Sequence, residues 1–134
     1  MVFQDQEKAH EALIELADRF EEASKAYAET NGIARNDDWF ILKMQEELGE
    51  LTQVWIKLTD RGRARGRTQA DLSSDLADET ADLLGHILLF ARRNGIDLAP
   101  AIKRKWRRWT PDQSGGYGHM GLALRDAGCA RSSG

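Results

Sequence analysis

The chain has 134 residues, of which 41% are hydrophobic and 31% charged, with a net charge of −3. That is the size and balance of one globular domain, and it excludes intrinsic disorder. The longest apolar run, residues 87–91, is far short of the roughly 20 residues of a spanning helix, so no membrane partner is expected. A single cysteine, Cys129, excludes an intrachain disulfide and a multi-cysteine zinc site. The first residues, Met1-Val-Phe-Gln-Asp-Gln-Glu, carry no leader pattern, so a cytoplasmic location is expected.

Two prolines, two valines and fifteen leucines predict an all-α fold. A first helix runs from just after Asp5 to about Thr30, with Leu13, Leu16, Phe20, Ala23 and Tyr27 on its buried face and a stop at Asn31-Gly32. A second starts at a cap on Asn36 or Asp37 and buries Phe40, Met44, Leu48, Leu51, Trp55 and Leu58. A basic, glycine-broken loop follows at 61–67, read as solvated. A third helix opens at Asp71 or Ser73, carries Leu76, Leu83, Leu84, Ile87 and Phe90, and stops at Asn94-Gly95. A fourth is capped by Asp97, places Pro100 in its first turn and ends near Trp109. Residues 1–110 are expected to form one all-α domain. Residues 111–134, with half of the twelve glycines, read as a tail, mostly loop, with at most a short helix at 122–126.

Charge divides along the chain. Residues 1–60 hold 6 Lys+Arg against 14 Asp+Glu, and residues 61–134 hold 13 against 8. The acids concentrate in Gln45-Glu46-Glu47-Leu48-Gly49-Glu50-Leu51 and in Asp78-Glu79-Thr80-Ala81-Asp82-Leu83. Glu47 and Glu50 are three apart, as are Glu79 and Asp82, so each pair projects from one side of its helix. Leucines alternate closely with these acids, which places the carboxylates on or beside a packing face. Four like charges there are unfavourable without a cation. Two readings stay open on the residues alone. One is a hard divalent cation, Mg²⁺ or Mn²⁺, which prefers oxygen ligands. The other is a set of solvent-facing acids paired with Lys43, Lys57 or nearby arginines.

Glu46-Glu47-x-x-Glu50, then 28 residues, then Glu79-x-x-Asp82 resembles the signature of the MazG-like nucleoside triphosphate pyrophosphohydrolases. Met44-Gln-Glu-Glu-Leu-Gly-Glu-Leu51, Leu76-Ala-Asp-Glu-Thr-Ala-Asp-Leu-Leu84, Asn94-Gly-Ile-Asp97 and Lys105-Trp-Arg-Arg108 agree with it, over residues 36–109. The resemblance implies a homodimeric four-helix bundle and Mg²⁺-dependent hydrolysis of (deoxy)nucleoside triphosphates between the α and β phosphates. It maps Glu47, Glu50, Glu79 and Asp82 to the metal ligands, and Glu46 to the first acid of the motif, which holds an additional ion or orients water. Whether the dimer pairs into a tetramer stays open.

Lys105, Arg107 and Arg108 are the expected phosphate partners. Lys103 departs from the asparagine many members carry two residues before that lysine, which bears on sugar and phosphate recognition. Trp39, near a helix start, is the expected base-stacking residue. His86 reads as a packed or interface residue rather than a ligand, and Gly49 and Gly85 as points of close helix approach or access to metal. The competing functions are phosphoribosyl-ATP pyrophosphohydrolase activity and a non-catalytic helical interaction module. A nucleic-acid-binding domain is disfavoured, because the basic residues are split between a loop and a helix end.

Overall fold

The computed structural model describes residues 2–108, and the regular structure there is entirely helical: α1 (Val2–Asn31), α2 (Asp37–Leu58), α3 (Gln69–Arg93) and α4 (Leu98–Trp106). None of these helices is long and apolar enough to cross a membrane. The expected tail at 111–134, its helix at 122–126, Trp109 and Cys129 lie outside the described residues.

Local chemistry sets the helix boundaries. Asn36 caps α2, its side-chain oxygen accepting from the Trp39 amide at 2.9 Å. α3 begins earlier than Asp71 or Ser73, because Thr68 and Asp71 form a reciprocal capping box. The Asp71 amide donates to Thr68 Oγ1 at 3.1 Å and the Thr68 amide to Asp71 Oδ2 at 2.9 Å. Asp97 caps α4 by position, without a side-chain bond. α1 and α3 both stop on a left-handed glycine, Gly32 at φ 64° and Gly95 at φ 63°. The next amides, of Ile33 and Ile96, reach back to the Ala28 and Ala91 carbonyls at 2.9 and 2.8 Å. α4 ends at Trp106, short of the expected Trp109. In the 61–67 loop, Arg67 is tied back to Asp75 at the start of α3.

α2 and α3 form the most extensive pairing, and α1 lies across α3. Phe40 faces Arg93, and Glu47 faces His86, so α2 and α3 run antiparallel. The core is Ala28, Phe40, Val54, Leu72, Leu88, Leu89 and Ala91. Gly85 is a point of close approach: a Cβ there would lie 2.0 Å from the Phe20 ring of α1. Gly49 is not, since a Cβ would meet nothing within 4 Å.

Two helices are rotated relative to their predicted faces. On α2 the fully buried positions are Phe40, Glu47 and Val54, while Leu48 and Trp55 are 52% and 49% exposed. On α1 the inward row is Leu13, Ala17, Phe20, Ser24 and Ala28, while Leu16 and Tyr27 are exposed. The consequence matters for function. Glu47 sits where a core residue would, at 6% exposure.

Candidate metal centre

A buried carboxylate needs a partner, and the helix pairing supplies several for Glu47. Its Oε1 lies 2.9 Å from Lys43 Nζ, one turn back on α2, and 3.6 Å from His86 Nε2 across on α3. Lys43 also reaches Glu46 at 3.0 Å. Burial works against the Lys43 ammonium, but the hydrogen bonds to Glu47 and Glu46 outweigh it and hold its pKa above the usual value. Burial lowers the His86 pKa, with Glu47 opposing, so the imidazole favours its neutral form. Its Nδ1 is buried and makes no hydrogen bond.

The antiparallel packing brings Glu47, Glu50 and Glu79 together. One carboxylate oxygen from each lies within 4.8 Å of the others. Glu79 is the strained member. Burial first, then the Glu50 carboxylate beside it, then Asp82 and Glu47, push its pKa above the ordinary carboxylate range. Its Oε2 is buried with no hydrogen-bond partner. Lys43 answers the charge of Glu47 but leaves this oxygen unsatisfied. Three converging carboxylates with an orphaned oxygen match what a hard divalent cation requires.

Of the other residues expected at the site, Asp82 is exposed and outside the group of three, though it is one turn from Glu79 and close enough to act on its charge. Glu46 is also exposed and paired to Lys43. Trp39 meets the cluster's surroundings through His86, its ring edge-on to that imidazole at 5.9 Å and to Phe40 at 5.1 Å. The cations Lys103, Lys105, Arg107 and Arg108 are exposed on or just after α4, which packs on α1. α4 follows the far end of α3, since Glu79 and Arg93 are separated by about 21 Å of helix rise. These cations belong to a different part of the fold from the acids.

Lys43 was expected only as a partner of solvent-facing acids and His86 only as a packed or interface residue; the structure sets both against the buried Glu47 carboxylate. Lys43 carried a signal, its four-residue spacing to Glu47. His86 carried a weaker one, its position seven residues after Glu79, two turns along the same face. Comparison of the chain with family models, curated proteins and solved structures finds no match.

Proposed function

We propose that the chain is a Mg²⁺-dependent nucleoside triphosphate pyrophosphohydrolase with a MazG-like four-helix bundle. The observation that carries this reading is the convergence of Glu47, Glu50 and Glu79 around an unpartnered, buried carboxylate oxygen. These three would hold Mg²⁺, or Mn²⁺ in its place, with Asp82 turning in from the next turn of α3. Bound there, the ion would neutralise phosphate charge and lower the pKa of a coordinated water. Water adds to the α-phosphorus, the bond from that phosphorus to the bridging oxygen breaks, and pyrophosphate leaves with the electron pair.

The chain's own groups supply the rest. Lys43 holds Glu47 in place. Neutral His86 fixes the edge of Trp39, which offers a face to the nucleobase. Glu46, exposed beside Lys43, orients water or an additional ion.

The reading includes a homodimer. Ile41, Leu48 and Trp55 recur every seven residues on α2, all exposed, an apolar stripe suited to a second copy, and Leu84 on α3 is exposed as well. A second copy also offers a route for the α4 cations of one chain to reach the acids of the other.

The test is hydrolysis of a panel of (deoxy)nucleoside triphosphates with Mg²⁺ in ¹⁸O-water. The expected result is equimolar monophosphate and pyrophosphate, the label in the monophosphate, and no reaction in EDTA. Absence of turnover on every nucleotide overturns the reading, as does label in pyrophosphate alone.

A further inference from the structure

A second, oppositely charged candidate site lies at one end of the α2–α3 pair. The first turn of α2, the last turn of α3, the middle of α1 and the α1–α2 connection surround a cavity of about 400 Å³ lined by Glu21, Lys25, Arg35, Phe40, Arg92 and Arg93. Four cations and one carboxylate share that lining. Glu21 is engaged: it accepts from Arg35 Nη1 and Nη2 at 3.0 and 2.7 Å, and Lys25 Nζ stands 3.7 Å away. Asp18 pairs with Arg92, and Asp37 with Arg93, but both acids are exposed and solvent weakens such pairs.

Arg35 is the informative residue. Arg92 and Arg93 answer the carboxyl end of α3, and Lys25 is one turn from Glu21. Arg35 lies in a connection, where no helix dipole explains it. Its side chain is 13% exposed and its guanidinium is held 4.9 Å from the Phe40 ring centre and 5.7 Å from that of Trp39. Its Nε–H is buried and donates to nothing. A buried donor left unfilled is unfavourable, so an acceptor brought to this Nε–H would be stabilised.

We infer that this cavity binds a phosphate-type oxyanion, gripped by Arg35, Arg92, Arg93 and Lys25 and requiring no metal. Arginine forks suit a tetrahedral anion, which accepts from several donors at once. The cavity is many times the roughly 30 Å³ share of one water, leaving room for the remainder of a phosphate ester. Seven residues separate Phe40 from Glu47 on α2 and His86 from Arg93 on α3, so the two sites stand about 10 Å apart along the bundle. The anion site uses none of the acids of the pyrophosphohydrolase reading, although the Trp39 ring, beside Arg35, borders both.

Calorimetric titration of the full chain in EDTA with inorganic phosphate, and separately with a nucleoside monophosphate, tests it, together with the ¹⁵N-edited NMR signal of the Arg35 Nε–H. Saturable binding is expected, with that signal shifting on saturation. Lys25→Gln and Arg93→Gln, at side chains 63% and 50% exposed, should each weaken binding about tenfold, the effect of one lost charge-assisted hydrogen bond. Glu50→Gln should bind as wild type. Equal affinities assign the cavity to free phosphate, and tenfold tighter binding of the monophosphate assigns it to a nucleotide. No saturation with either probe overturns the inference, as do unchanged affinities in the Lys25 and Arg93 variants or loss of binding in Glu50→Gln.

Discussion

Removing the charge of Glu79 should stabilise the metal-free protein while destroying its response to metal. Carboxylate oxygens of Glu47, Glu50 and Glu79 lie within 4.8 Å of one another, and the Glu79 oxygen without a partner is buried. Two unit charges at that distance repel by about 1 kcal/mol in water and about 3 kcal/mol at an effective dielectric of 20. Glu79 is only half-buried and Lys43 already offsets Glu47, so the lower end applies. Glu79→Gln should therefore raise stability by about 1 kcal/mol, or about 4 °C in Tm for a domain of roughly 100 residues.

The pH dependence gives an independent check. The Glu79 pKa is raised on folding above its ordinary value of 4.5. Its contribution to stability is thus present below pH 4.5 and is lost as pH rises through the folded value. The advantage of the glutamine variant should appear at neutral pH and close toward pH 4. Mg²⁺ should raise the Tm of wild type, because a ligand bound only by the native state adds stability, and should leave Glu79→Gln nearly unmoved. Scanning calorimetry in EDTA and in Mg²⁺ at two pH values measures all of this. If Glu79→Gln melts below wild type in EDTA, or gains as much from Mg²⁺, the carboxylates do not form a strained cation site.

Glu50→Gln and Asp82→Asn keep shape and remove charge, and each should lower kcat by about 10²-fold or more in steady-state kinetics, the scale of deleting one electrostatic catalytic group. Turnover near wild type in Glu50→Gln would falsify the placement of the site. Gly85→Ala should destabilise in urea titration, because overpacking against the Phe20 ring costs about 1–3 kcal/mol against about 1 kcal/mol of improved helix propensity. Gly49→Ala, facing open space, should show the propensity gain instead. Glu21→Gln should lose about 1–2 kcal/mol at pH 7. The Arg35 hydrogen bond holds the Glu21 pKa below 4.5, so the wild-type advantage is full above that pH and disappears as pH falls through the folded value, in melts taken from pH 7 to 3. Sedimentation at micromolar concentration should give a dimer of the 15.1 kDa chain, and a clean monomer refutes the covered α2 stripe.

What the sequence determined by itself is local. The caps at Asn36, Asn31-Gly32 and Asn94-Gly95 were legible because each is made by bonds within about five residues. The spacing of Glu47 and Glu50, and the nearness of Lys43, were legible for the same reason. The capping box at Thr68 was equally local and was passed over for the later Asp71 and Ser73.

What only the tertiary structure decided is rotation and convergence. A leucine stripe marks an apolar side of a helix, but one residue's difference in register turns a helix by about 100°. The sequence therefore placed Leu48 and Trp55 inward on α2, where packing against α3 put Glu47 and Val54. Contacts between residues distant in the chain have no periodic signature. His86 against Glu47 and Arg35 against Glu21 follow from how α2 and α1 lie on α3, and with them came the neutral imidazole, the orphaned Glu79 oxygen and the unfilled Arg35 donor. Burial and proximity shift the pKa of Glu79 up and that of His86 down, and neither burial nor proximity exists until the helices pack.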